Sequence, residues 1–402
     1  MARTERKQLV ALALLATLLA PALAHARPGD LDRSFGGDGK VRTRFEVHDG
    51  AYSVATYSHG RTVAAGVTSS GKFALARYRR NGTLDDSFSG NGKVRTDFGG
   101  GASARSVAID AKRRIVAVGD DCGVDDSDCD FALARYHRNS SLDRTFSGDG
   151  RVVTDFGASA GARSVAIDSR GRIVVAGPSG GQLAIARYKQ NGGLDPSFGS
   201  DGTVMTEFGG PADVSGSVAI DLLNRIVVVG SSAGDFALAR YRPNGTLDPS
   251  FGGDGEVMTD FRGSSHASSV VIGFHGRIVA AGGTASGRFA LASYKRNGTL
   301  DDSFSGNGKL RTKFGRHGAN SVAIDSHGRI VAVGGEDDFR VARYGRSGRL
   351  DRSFSGDGKV TTHLAFASAE SVAIDSRNRI IVAGFNSGHF ELVRYVGYRR
   401  RR

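Results

Sequence analysis

Beyond its first 26 residues the sequence has no stretch in which a 3.6-residue apolar period lasts ten residues, which excludes helical bundles and alternating α/β folds. Nor does any later apolar run approach the length of a membrane span. Tryptophan is absent, methionine occurs three times and proline seven. With only two cysteines the chain is not a disulfide-dense scaffold, and no further ligand sits near them at zinc spacing. It has no Gly-x-Ser-x-Gly elbow, no His-Glu-x-x-His helix and no phosphate-binding Gly-Lys-Ser/Thr loop. Basic residues are not interleaved with aromatics in a nucleic-acid-binding pattern, so nucleic acid is set aside as a partner.

Glycine is abundant instead, with 58 residues among 402. It has no collagen period and is accompanied by many Val, Ile and Phe, a composition suited to an all-β chain with many tight turns. The start reads as a leader: Arg3, Arg6 and Lys7, then a run from Leu9 to Leu23 broken by Pro21, then Ala24-His25-Ala26. That order is the pattern of a secretory signal peptide cleaved near Ala26. The expected domains are therefore a signal peptide (1–26), one repeat domain (27–396) and a basic tail (397–402) ending in Arg399 to Arg402. The expected location is secreted, periplasmic or on the cell surface, with no transmembrane span. In such an oxidising compartment Cys122 and Cys129 are expected to form one local disulfide. The formal charge of +13 favours solubility and weak attraction to anionic surfaces.

Internal repetition decides the architecture. A Ser-Val start recurs at Ser53, Ser106, Ser164, Ser217, Ser269, Ser321 and Ser371, at spacings of 50 to 58 residues. The unit starting at Ser164 has runs at Ser164 to Asp168, Arg172 to Gly177, Leu183 to Tyr188 and Thr203 to Phe208, separated by turn residues. Runs of five to seven residues, alternating or β-branched, are strands. Four short antiparallel strands repeated around an axis form a β-propeller blade. The chain starts with a lone fourth run (Lys40 to Phe45) and ends on a unit lacking one, so the strand around Val41 is expected to pair into the last blade. The expected fold is thus an all-β, seven-bladed propeller of four-stranded antiparallel blades, closed by its N-terminal strand.

The Phe-Ala-Leu-Ala-Arg-Tyr runs (Phe73 to Tyr78, Phe131 to Tyr136, Phe236 to Tyr241) and the Leu-Asp-x-Ser-Phe segments at Leu84, Leu194, Leu247, Leu300 and Leu350 resemble the delta-60 repeat proteins, a bacterial β-propeller family of unknown function. The resemblance spans residues 31–395. The strand order also looks like that of NHL-type propellers, which implies that the Ser-Val-Ala-Ile-Asp run is innermost. Neither resemblance implies catalytic residues.

Asp32, Asp85, Asp143, Asp195, Asp248, Asp301 and Asp351 recur at one position of the seven units, and Arg77, Arg135, Arg187, Arg240, Arg343 and Arg394 at another. A group present in every unit cannot mark a single reaction centre. These residues are expected to fasten turns, with Asp accepting backbone N–H groups and pairing with Arg on the adjoining strand. Asymmetry lies elsewhere. The insertion 120–130 holds Asp121, Asp125, Asp126 and Asp128, candidate oxygen ligands for a calcium ion. The competing reading is a solvated hairpin tip held by the disulfide. No other cofactor is implied. His48, His266, His317 and Glu370 fall in connections leading into the Ser-Val strands and are candidate binding residues at a channel mouth.

The connections 46–52, 99–105, 157–163, 209–216, 262–268, 315–320 and 365–370 differ between units, as do 67–72, 120–130, 178–182, 231–235, 283–288, 335–338 and 385–389. Both sets emerge on one face of a propeller, where variation points to binding. The expected function is a monomeric, non-enzymatic binding scaffold for a protein or polysaccharide. The alternatives are a polysaccharide lyase or hydrolase with its site at the channel mouth, and a structural component of the cell envelope.

Overall fold

The computed structural model describes residues 26–123, 128–208 and 212–398. It is all-β except for two single-turn 3-10 segments, Ser58–Gly60 and Phe274–Gly276. Five four-stranded antiparallel sheets resemble propeller blades, and the Ser164 unit is typical: Ser164–Ile167, Ile173–Ser179, Gln182–Tyr188 and Thr203–Thr206, hydrogen-bonded in that order. The expected leader (residues 1–25) and the residues Arg399 to Arg402 lie outside the described part.

The turns follow from side chains that take over backbone N–H groups. Between the first two strands, Asp168 Oδ1 accepts the amides of Arg170 and Arg172, and Arg172 Nε donates to Oδ2 at 2.6 Å. Before the fourth strand, Asp195 Oδ1 accepts from the amide and hydroxyl of Ser197. The second and third strands are buried except towards the ends that meet in their shared turn, and their small residues (Ala176, Ala184 and Ala186 are 0% exposed) let successive sheets approach closely.

Each apolar layer lies between two successive units. One joins Val174, Leu183 and Ile185 to Val218, Ile226 and Val228, and another joins Ala64, Ala74 and Tyr78 of the first unit to Ile381, Phe390 and Leu392 of the last. Polar fastenings run in parallel. The Ser hydroxyl of each Ser-Val start accepts from the Val amide of the next unit, as Ser164 does from Val218 at 3.1 Å. The series continues through Ser321 and Val372, then returns to its beginning where Val54 donates to Ser371. Tyr241 likewise bonds Thr206 of the preceding unit at 2.7 Å, and Tyr78 bonds Thr43 of the N-terminal strand at 2.8 Å. That strand, Lys40–Thr43, pairs antiparallel with His389–Tyr395, with Lys40 opposite Val393.

The last two units depart from the expected loops. Lys359–Ile374 is one 16-residue strand that serves as fourth strand of one unit and first strand of the next, fusing them into a seven-stranded sheet with the N-terminal strand. The physical reason is that residues 363–370, expected as a connection in part, contain no glycine to end the strand. Their backbone pairs Ser368 with Glu336, at the cost of a positive φ (53°) at Phe366. The neighbouring connection 335–338 is also shortened, because the strand Glu336–Tyr344 begins inside it.

Candidate functional site

The seven-fold Arg and Asp positions are fasteners. Arg187, 1% exposed, donates from Nε to Asp195 Oδ2 at 2.9 Å and from Nη2 to Ser197 at 2.9 Å; a third bond reaches the Pro243 carbonyl of the next unit. Its guanidinium also lies 4.7 Å from the Phe198 ring centre. Arg394 repeats the arrangement across the chain ends, with Asp32, Ser34, Phe35 and the Arg80 carbonyl. Where Ser293 replaces the Arg, Arg277 moves in: Nε donates to Ser293 at 2.6 Å and Nη1 to the Arg346 carbonyl at 2.7 Å. The substitution is repaired by a neighbour, as a structural role requires.

Asymmetric chemistry collects at the other end of the first strands. In most units a β-bulge precedes the Ser-Val pair, between Ala51 and Ser53, Ala104 and Ser106, Ala267 and Ser269, Ala319 and Ser321, and Ala369 and Ser371. The second-strand glycine makes room for it. A Cβ on Gly119 would stand 1.8 Å from the Ser103 carbonyl oxygen, so no side chain is possible there. Each bulge releases one residue from the alternation: Tyr52, Arg105, Ser268, Asn320 and Glu370. Arg163 occupies the same place in its unit, its amide bonded to the Ala176 carbonyl. Unlike the fasteners, no two neighbouring units carry the same residue here except Arg105 and Arg163.

Arg105 Nε donates to Asp120 Oδ1 at 3.1 Å, and its guanidinium lies 4.5 Å from the Tyr52 ring centre. Arg163 Nη1 stands 4.0 Å from the same Asp120 oxygen. Burial opposes the charge of Arg105, but the bond to Asp120 wins and holds its proton more firmly than usual. Burial and the proximity of Arg105 weaken the hold of Arg163 on its proton, against the pull of Asp120. Burial also pushes the Glu370 carboxyl up, countered by a Ser368 hydrogen bond and the charge of Arg105. Asn320 donates to the Ala369 carbonyl at 2.9 Å, tying this position to its neighbour. The group offers two guanidinium forks, one aromatic face and two carboxyls on adjacent strands, a set suited to gripping a polar or anionic group. It holds no nucleophile oriented by a base.

The candidates named from sequence are spread more widely. Glu370 sits in this series. His48 is exposed beside Gly388, and His266 packs its ring against Gly283. His317 pairs with Glu336 (Nε2 to Oε2, 2.6 Å), whose backbone stands opposite Ser368. Tyr52, Arg105 and Arg163 escaped sequence reading, and Asp120 entered it only as part of the 120–130 insertion. The signal available was the residue just before each Ser-Val pair, which varies while its flanks repeat.

Cys122 and Cys129 form a disulfide at the end of a hairpin in which they stand opposite each other. Of the insertion's aspartates, Asp125 and Asp126 lie outside the described residues. Burial and the nearby Asp97 raise the Asp121 carboxyl, and Asp128 helps to raise Asp130. Among the described residues, no three His, Cys, Asp or Glu side chains are grouped to hold a metal ion. No helix among them is long and apolar enough to cross a membrane.

Comparison with solved structures returns propellers. The WD40 β-propeller domain of Doa1 aligns with 88% of this chain and 96% of its own at 11% identity, TM-score 0.55. YCF48 bound to D1 peptide aligns with 92% and 97% at 12% identity, TM-score 0.53. Virginiamycin B lyase from Staphylococcus aureus aligns with 89% and 98% at 8% identity, TM-score 0.50. At these identities the likeness is one of fold. No curated protein sequence matches the chain. Residues 60–88, 171–198, 224–251 and 276–304 each match the family model described as "Domain of unknown function (DUF5122) beta-propeller", and the chain is thereby identified as a carrier of that propeller repeat, in keeping with the delta-60 family that its motifs resemble.

Proposed function

We propose that the chain is an exported, non-enzymatic scaffold in which seven blades close into one ring and the face bearing the variable connections captures a protein partner. The closed ring is supported by the serine bonds that return from Ser371 to Val54 and by the strand Lys40–Thr43 on His389–Tyr395. On this reading the bulge residues Tyr52, Arg105, Arg163, Asn320 and Glu370 surround the mouth of the central channel. His48, His266 and His317 stand among the connections outside it.

The observation that carries the binding role is the contrast within each unit. One end repeats the same Arg, Asp, Ser and Phe contacts, while the other presents a different side chain from nearly every blade at one structural position. Binding sites arise where a rigid scaffold displays variable groups. One similar structure, YCF48, is bound to a peptide, which favours a protein over a polysaccharide. At 12% identity the contacting residues must be read from this chain alone.

The test is affinity capture from native envelope and medium, with the chain from Arg27 onward as bait, at low and high salt. A partner retained at high salt and lost with the double variant Arg105→Ala, Arg163→Ala is expected. Retention undiminished by that variant, or capture that vanishes with salt for the unaltered chain, overturns the reading.

A further inference from the structure

The end of the molecule with the repeated fasteners is also asymmetric at one place. The turn between first and second strands and the Leu-Asp-x-Ser-Phe segment emerge at the same end of each sheet, opposite the variable connections. There each unit assembles a hub of four charged positions. In the Ser164 unit the hub is Asp168, Arg172, Arg187 and Asp195, with Arg172 Nε 2.6 Å from Asp168 and its Nη1 3.3 Å from Asp195. Two cations face two anions. The same balance holds at Asp110, Arg114, Arg135 and Asp143, at Asp221, Arg225, Arg240 and Asp248, at Asp325, Arg329, Arg343 and Asp351, and at Asp375, Arg379, Arg394 and Asp32.

Two units break the pattern, in different ways. In the Ser269 unit Gly273 replaces the first Asp, but Ser293 also replaces the Arg, so Arg277 and Asp301 still balance. In the Ser53 unit Tyr57 replaces the first Asp and both arginines remain. Arg61, deprived of its usual partner, leans on Asp85 at 3.3 Å, which Arg77 already engages at 3.0 Å. One positive charge is left over. Beside it is a cavity of about 290 Å³ lined by Tyr57, Arg61, Arg77, Ser87, Arg113, Arg138, Asn139 and His59. The wall has four guanidinium groups and no carboxylate. Tyr57 is 9% exposed, and its hydroxyl is buried without a hydrogen bond. Burial pushes the Tyr57 hydroxyl up to about 12, so it keeps its proton and is a donor. Buried polar groups without partners are rare and ask for an explanation. Tyr57 lines a cavity walled by arginines at the place where the five four-membered hubs have an acid, an arrangement that an incoming anion explains.

We propose that this cavity binds a phosphoryl or sulfuryl group, with the Arg61, Arg113 and Arg138 guanidinium groups and the Tyr57 hydroxyl as its donors. Forked guanidinium donors suit a tetrahedral oxyanion. The volume, at the lower end of small-molecule sites, exceeds what an inorganic anion fills, so there is room for the carbon skeleton of an ester. The site is independent of the capture face proposed above and lies at the opposite end of the sheets.

The test is isothermal titration calorimetry on the chain from Arg27 onward at constant ionic strength, with inorganic phosphate, sulfate and glycerol 3-phosphate as probes and sodium chloride as the control. Saturable binding of at least one oxyanion is expected. Tyr57→Asp, which restores the acid of the repeat, is expected to abolish it while leaving the melting temperature equal or higher. Tyr57→Phe, a minimal change that spares folding, is expected to weaken it about tenfold, the loss of one hydrogen bond to a charged group. Tighter binding of glycerol 3-phosphate identifies an ester as the ligand, and equal binding identifies the free anion. No heat from any probe, or affinities unchanged in both Tyr57 variants, overturns the proposal.

Discussion

The two ends of each sheet obey different rules, although the same chain builds both in every unit. At the fastener end, Arg187, Asp195, Ser197 and Phe198 recur almost unchanged around the molecule, and one donor of each guanidinium reaches the next unit. At the other end, the bulge position passes from Tyr52 to Arg105, Arg163, Ser268, Asn320 and Glu370. Repetition marks what holds successive units together, because every junction has the same problem to solve. Variation marks what faces outward. The comparison sorts charge in the same way: fastener arginines are nearly inaccessible, whereas the Arg163 side chain keeps 38% of its exposure.

The comparison is broken most severely by removing one fastener. Arg187→Ala leaves the carboxylate of Asp195 buried with only Arg172 at 3.3 Å, and leaves the Pro243 carbonyl without its donor. Removing one member of a buried pair costs about 3–5 kcal/mol, since the surviving charge loses its compensation. Urea denaturation should show an unfolding free energy lowered by that amount. A shift below about 1 kcal/mol would mean that the hubs are dispensable and that repetition reflects ancestry alone.

Acid is a milder probe, and its sign differs between the fastener carboxylates and buried acids such as Glu370. Burial alone would raise Asp143, but the hydroxyl and amide of Thr145, with Arg135, lower it to about 2. Asp32, Asp85, Asp195, Asp248 and Asp351 are lowered by the same kinds of partner against the same opposing burial. A folded value below the unfolded one stabilises at pH above about 4 and is lost as pH falls towards 2. For Asp143 alone, lowered from 3.8, this is on the order of 2 kcal/mol. At the other end Glu370 and Asp121 are raised by burial, so their protonation favours the fold as pH falls. Denaturation midpoints measured from pH 5 to 2.5 should fall steeply, because the lowered group is larger. A flat profile would show that the fastener carboxylates do not contribute as ionised partners.

The same division explains how much was legible in the sequence. Strands, turns and the pairing of repeated Asp with repeated Arg follow from local patterns, and a seven-fold motif reports them many times over. The disulfide was legible because its two cysteines are the only ones. The bulge was not: it depends on Gly119 meeting the Ser103 carbonyl from another strand, and no run of residues encodes that approach. Hence Glu370 was found as one acidic loop residue, while Arg105, Arg163 and Tyr52 read as ordinary members of polar connections. The fused strand Lys359–Ile374 was missed for the converse reason, since its position in the repeat suggested a loop and only the lack of glycine argued against one. Tyr57 stands where most units have Asp, a departure that acquires meaning only from the charges around it.

The smallest effect sharpens the comparison at the variable end. Arg163 is 4.0 Å from Asp120, whose oxygens Arg105 already engages at 3.1 and 3.4 Å. Arg163 also repels Arg105, and burial already disfavours its charge. Removing it therefore breaks no essential pair and relieves one repulsion. Arg163→Ala should change the unfolding free energy read from urea denaturation by less than about 0.5 kcal/mol in either direction, in contrast to the same substitution at Arg187. A loss as large as that of a fastener would place Arg163 among the residues that hold the fold. Near-neutrality leaves it available for what it faces, because no pair within the fold then depends on its charge.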